Sequence, residues 1–399
     1  MFSLSKARAM MKERGMECLL LCSQENFGYV TGCNPKSYLS RKIGSEIVIV
    51  PVDESKEPII IVSEHDKISF EHLYAYKDIR TFETWIYFER DGIPQEPKVF
   101  KPAQFDSMGK IVDAVKDLGL DAATIGYEEP LMPAAMYIKL RKALPNANLV
   151  DATDLMLTMR SVKDPCEFDT IRKAVAIMEE AAIASMQVAK AGNTDRDIAA
   201  EFKKVAMSKG CWVAGHNSHV IVSAGPDAGA AHLAGPHPVS VLKDGDILRF
   251  DYGVNYDGYL TDFARAYVIG DGEPNDRLKK LHETILRANR TMVASIKPGL
   301  RFCDLFEIGM NVVKEVYPTY ARGHLGHSIS FGPNNEEAPF ISAKETREIQ
   351  EGMVLCIEVP FYIIGFGGIN IEDMVIVTKD GTEALTKMSR DIHLPLVKE

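Results

Sequence analysis

The C-terminal part of this chain repeats itself. Gly192 and Asp197, in AGNTDRDIAAEF, recur as Gly299 and Asp304 in PGLRFCDLFEIG. Gly245 and Asp251, in KDGDILRFDYG, recur at the same offset as Gly352 and Glu358 in QEGMVLCIEVP. Helices opening near Pro165 and Pro274 keep almost that spacing. Each copy reads as helix, helix, then hairpin strands, so the region is expected to hold two copies of one unit. Copies facing each other about a pseudo-twofold axis would curve their sheets around a shared cleft.

Within the first copy, FDYGVNYDGYLTDFAR places Asp251 and Asp262 eleven residues apart on strand-like runs. Asp257-Gly258 between them favours a two-residue type I′ turn, which pairs Tyr256 with Tyr259 and sets Asp262 opposite Gly253. Side chains alternate along a strand, so both carboxylates fall on one face as diagonal neighbours, roughly 7 Å apart or less. Like charges that close need protons, basic partners or a metal cation. A solvated hairpin with two exposed aspartates is the other reading of this stretch. The second copy adds Glu358 at the position equivalent to Asp251, and Glu372, in GGINIEDMVIVT, near the equivalent of Asp262.

Both glutamates interrupt apolar strands, and only Arg249 and Arg265 bring positive charge close to the four carboxylates in these strands. Two divalent cations would balance four acidic groups in an oxygen-rich site. A nitrogen ligand is offered by GHLGHSIS, where His324 and His327 precede or begin a strand after the second helix pair. A buried structural histidine is the alternative at either position.

The rest of the chain narrows the setting. With 399 residues, 46% hydrophobic, it can build two or three sizeable cores. A net charge of −10 argues against nucleic acid or an anionic membrane as partner. The start, MFSLSKARAMMKERGMECLLLC, reads as an amphipathic helix entering a strand, without a signal-peptide cleavage pattern. Seven cysteines with no CxxC imply reduced thiols and a cytoplasmic location, and make a cysteine-based metal site unexpected. Gly365, Gly367 and Gly368 open no helix and make no dinucleotide fingerprint.

Residues 1–155 alternate strand and helix, with strands over ECLLLC, EIVIVPV and PIIIVS and helices over 103–119 and 134–145, an α/β domain of its own. Residues 156–399 form the duplicated domain, opening with Asp164-Pro165 as N-cap and first turn of a long helix that stops near Gly192. Trp85 would line the cleft, line a subunit contact or sit in an exposed loop.

Asp, eleven residues, Asp, then a Gly-His strand, then Glu before a proline, then Glu in an I-x-I-E-D strand resembles the pita-bread metallopeptidases: methionine aminopeptidase, aminopeptidase P, prolidase and the metal-free relative creatinase. SQENFGYVTG (23–32) resembles the creatinase/prolidase amino-terminal domain. The resemblance implies an α+β chain, with a C-terminal pita-bread (duplicated ααββ) catalytic domain behind a smaller α/β creatinase-type domain. It implies Asp251, Asp262, His327, Glu358 and Glu372 as metal ligands, Asp262 and Glu372 bridging, and His327 preferred to His324. It further implies a hydroxide shared between two divalent metals, Glu358 as general base and proton shuttle, and His232, in SAGPDAGAAHLAG, stabilising the oxyanion. Mn²⁺ is the expected metal, with Co²⁺, Fe²⁺ or Zn²⁺ as alternatives. Peptides with proline second are the expected substrates and a homodimer the expected assembly.

The family's substrate-contact positions are altered here. Asn334 stands seven residues after His327 where a second histidine is usual, and Glu337 lies in a segment shifted by about two residues. Asn370 replaces the arginine two before the last glutamate. Gly323 replaces the upstream histidine, with His324 one place later. Such changes leave open a creatinase-like C–N hydrolase or lyase on a small amide, and a non-catalytic pita-bread binding protein.

Overall fold

The computed structural model describes residues 3–32, 46–73, 77–84, 91–92, 107–212, 220–229, 239–329, 331–332 and 336–393. They fall into two compact units, Met1–Met159 and Arg160–Glu399.

In the first unit, β1 (Cys18–Leu21), β2 (Ile47–Pro51), β3 (Ile59–Ser63), β4 (Ile79–Phe82), β5 (Thr124–Tyr127) and β6 (Asn148–Asp151) form one mixed sheet, ordered β4-β3-β2-β1-β5-β6. The apolar runs CLLL, IVIVP and IIIVS are buried throughout, as expected of strands covered on both faces. Helices α1 (Leu4–Glu13), α2 (Gln24–Thr31), α3 (Glu64–Leu73), α4 (Ser107–Asp117) and α5 (Ala134–Ala143) accompany them, and α6 (Thr153–Ser161) follows β6. In the SQENFGYVTG stretch, Ser23 caps α2 and the buried Glu128 accepts hydrogen bonds from the Cys22 and Ser23 amides and the Asn26 side chain. That motif therefore fixes a helix entry.

The second unit shows the duplication directly. Its first copy runs α7 (Pro165–Met186), α8 (Asp195–Ser208), β7 (Val220–Ala224), β8 (Ile247–Tyr252), the small hairpin β9 (Asn255–Tyr256) and β10 (Tyr259–Leu260), then β11 (Phe263–Val268). The second runs α9 (Asp276–Ser295), α10 (Phe302–Lys314), β12 (Gly326–Ile329), β13 (Glu336–Phe340), β14 (Val354–Glu358), the small hairpin β15 (Phe361–Ile363) and β16 (Gly367–Ile369), β17 (Glu372–Thr378) and β18 (Gly381–Ala384). Strand orders β11-β8-β7 and β17-β14-β12 match element for element. The first copy thus carries one strand, β7, that the sequence pattern does not suggest, and the second carries β13 besides the strand expected at His327. α7 opens at the expected N-cap Asp164, whose amide donates to Glu167, but ends at Met186 with Gln187 as its C-cap, well before Gly192.

The turn expected at Asp257-Gly258 is present, with φ of 49° and 88° at its two residues. Tyr256 pairs with Tyr259, and the same register carries through Phe263 with Tyr252 to Ala264 with Asp251. A Cβ at residue 258 would run into the Phe331 ring, so space and backbone both demand glycine.

Candidate metal centre

Asp251 lies on β8 and Asp262 immediately before β11. Glu358 ends β14, directly opposite Glu372 at the start of β17, and His327 on β12 sits opposite Cys356 on β14. Alternation puts His327, Cys356, Glu358, Glu372 and Met374 on one face. The two copies meet there: the Asp262 amide donates to Met374 Sδ at 3.3 Å, and Cys356 Sγ approaches the Asp262 carbonyl at 3.9 Å. Two buried donor groups result. One oxygen each from Asp251, Asp262 and Glu372 lie within 4.8 Å of one another, as do one atom each from His327, Cys356 and Glu372. Glu372 belongs to both.

Local structure aims His327. Gly326 precedes it at φ 136°, where a Cβ would collide with the Cys356 carbonyl. The β12–β13 register shifts between His327 and Ser328, an irregularity that leaves residues 338–339 of β13 without partners on β12. Its Nδ1 lies 2.9 Å from the Ser328 carbonyl, which can only accept, so Nδ1 carries the proton. Nε2 therefore presents a lone pair, 3.6 Å from Asp262 Oδ2 and 3.6 Å from Glu372 Oε1. A lone pair facing two carboxylates is mutually repulsive unless a proton or a cation stands among them.

Among the described residues, the two arginines of these strands are also engaged by other groups. Burial, and then the neighbouring Asp262, Glu358 and Asp251, push the Glu372 carboxyl well above its ordinary pKa. Its Oε1 has no hydrogen-bond partner among the described residues. Arg265 is committed to Asp373 and to the Glu372 and Met388 carbonyls. Arg249, fully buried, reaches Asp251 at 3.6 Å while also bonding the Ala228 carbonyl and the Ser223 hydroxyl. The donor set (carboxylates with one imidazole) fits divalent cations.

Glu358 stands at the edge of this cluster. His324 Nδ1 lies 3.2 Å from its Oε1, without hydrogen-bond alignment, and Arg322 is 3.9 Å from its Oε2. Asn370, fully buried, points its amide nitrogen at Asp251 Oδ2 across 3.5 Å, so it meets a carboxylate where the family usually carries an arginine. Glu337 is turned the other way, into a buried ion pair with Arg160 at 2.5 Å. Nearby, Lys163 donates to the Ile329 carbonyl at 2.7 Å and is brought down to a pKa of about 8 by burial. His232, Asn334 and Trp85 lie outside the described residues.

Breaking the Arg160 pair leaves a buried charge alone, so Glu337→Gln is expected to cost about 3–5 kcal/mol in denaturant unfolding. A substrate contact would instead raise KM without moving stability.

Cys356 is an addition to the expected set. The absence of CxxC speaks against thiol ligation, but Cys356 stands two residues before Glu358 in a strand, and that spacing alone places it on the ligand face.

With this geometry in place, the comparisons with known proteins are specific. Residues 169–379 match the model of metallopeptidase family M24, and residues 4–162 match the creatinase/prolidase N-terminal domain. The chain belongs to metallopeptidase family M24, with the fold of that family, and is a peptidase. Among its relatives, the Xaa-Pro dipeptidase of Pyrococcus horikoshii is 29% identical over 76% of this chain and 81% of its own length. The Xaa-Pro dipeptidase of Lactobacillus helveticus is 30% identical over 72% of this chain and 77% of its own. In fold, the chain is similar to the crystal structure of the Pyrococcus horikoshii prolidase (TM-score 0.78, 23% identity, 98% of this chain and 99% of that one). The X-Pro aminopeptidase of Thermotoga maritima aligns with a TM-score of 0.80 at 23% identity over the same shares.

Proposed function

We propose that the chain is a dinuclear-metal hydrolase, an Xaa-Pro dipeptidase or aminopeptidase that cleaves short peptides with proline in the second position. The observation that carries this reading is the His327 Nε2 lone pair facing the Asp262 and Glu372 carboxylates at 3.6 Å. Asp251, Asp262 and Glu372 would hold one divalent cation, and His327, Glu358 and Glu372 a second, with Asp262 also bridging. Bound cations supply Lewis acidity and a water acidic enough to ionise near neutral pH. The all-oxygen group favours Mn²⁺, with Co²⁺, Fe²⁺ or Zn²⁺ as alternatives.

The chain's own groups divide the remaining work. The Glu358 carboxylate takes a proton and later returns it to the leaving amine, as its place beside the ligands allows. His324, close to Glu358, contacts substrate, and His232 donates to the developing oxyanion. Asn370 steadies Asp251. The pair Arg160–Glu337 supports a structural role for Glu337. The reading extends to a cytoplasmic homodimer on the resemblance to the family, and six free cysteines among the described residues fit a reducing compartment. Among those residues no helix is long and apolar enough to cross a membrane.

A dipeptide panel with proline at the second position, assayed with and without Mn²⁺ beside metal analysis, tests the proposal. Cation-dependent cleavage of the proline peptides is the expected result. Metal uptake without peptide cleavage would favour the C–N hydrolase or lyase reading that Asn370 leaves open, and no uptake a non-catalytic binding protein.

A further inference from the structure

The two donor groups that share Glu372 differ in chemical character. Asp251, Asp262 and Glu372 offer oxygen alone, whereas His327, Cys356 and Glu372 offer nitrogen, sulfur and oxygen. The sulfur arrives there by construction. Cys356 pairs with His327 on one side and Met374 on the other, so its side chain rises on the face that carries the ligands. It is fully buried, as is His327 to within 1%, and Glu372 to within 2%. An independent feature points to a ligand at the same spot: Glu372 Oε1 is buried without a hydrogen-bond partner and stands 3.6 Å from the His327 lone pair. Glu358, the residue expected to complete the second position, lies towards His324 and Arg322.

We propose that Cys356 is a metal ligand, and that the second cation position of this chain is a His327–Cys356–Glu372 site suited to Zn²⁺ or Co²⁺ more than to Mn²⁺. This rests on the two-cation reading above. Thiolate and imidazole select borderline cations, while carboxylate oxygen suits Mn²⁺. Ligation forms a sulfur–metal bond from a sulfur lone pair and releases the thiol proton to solvent, with no change of oxidation state. The two positions then prefer different metals.

The full chain, stripped of metal, is titrated with Co²⁺ while the near-ultraviolet sulfur-to-cobalt charge-transfer band and the visible cobalt spectrum are followed. The expected result is a charge-transfer band that grows with one of two bound equivalents and disappears in Cys356→Ser, which still binds cobalt. Two equivalents bound with no such band would overturn the thiol ligand and leave the hydrolase reading standing. A band that persists in Cys356→Ser would assign it to another cysteine and overturn the thiol ligand equally. Failure of the wild type to bind cobalt at all would remove both. Should Cys356→Ser not fold, X-ray absorption of the Zn²⁺-loaded wild type decides alone, by a sulfur shell at about 2.3 Å or its absence.

Discussion

Glu372→Gln is expected to raise the melting temperature of the metal-stripped protein and to lower that of the metal-loaded one. The opposite signs come from one carboxylate with two roles. Without a cation, Glu372 is a buried acid crowded by Asp251 and Asp262 within 4.8 Å, and an isosteric amide relieves that repulsion. With cations, its negative charge serves both donor groups at once. Changes behind a metal's ligands already cost about 10–100-fold in affinity. Loss of a shared ligand should exceed that, and turnover should fall with metal content. Thermal unfolding of both forms, with metal analysis of the dialysed variant, reads all three effects. A stripped variant less stable than the stripped wild type would mean that Glu372 is satisfied by the protein itself, and the electrostatic case for a cation would fail.

Glu358→Gln should behave differently: most of the metal retained, turnover reduced by about a hundred- to ten-thousand-fold, and little change in KM. That range is what a positioned acid–base group contributes. Glu358 is suited to the task because it faces Glu372 across the sheet yet lies 3.2 Å from His324, at the edge of the cluster. Full activity in the variant would remove Glu358 from proton transfer. Loss of both metal equivalents would make it chiefly a ligand.

Much of this architecture can be read from the residues, for identifiable reasons. An Asp-Gly turn leaves a two-stranded register almost no freedom, and the pairing from Tyr256–Tyr259 to Asp251–Ala264 follows from it. The duplication is legible because glycines at turns and acids at strand ends recur at one offset. What stays hidden depends on which strands become neighbours. Nothing in MVLCIEVP says that Cys356 will sit across from His327, since that contact needs the β12–β14 pairing. Glu337 misleads for a related reason. Its place in the sequence suggests the cleft, whereas β13 turns it towards Arg160, a residue far away in the chain. The end of α7 is obscured because Gly192, at φ 90°, belongs to the following turn and not to the helix cap.

The internal repeat has a kinetic corollary. Asp251 and Asp262 come from one copy and His327, Glu358 and Glu372 from the other, yet a single covalent chain carries both. Two separate polypeptides would have to find each other before such a centre existed, and dilution would take it apart. Tethering replaces that encounter with an effective local concentration in the millimolar range or above. Assembly of the ligand set then becomes a step in the folding of one molecule, at a rate that does not depend on how much protein is present.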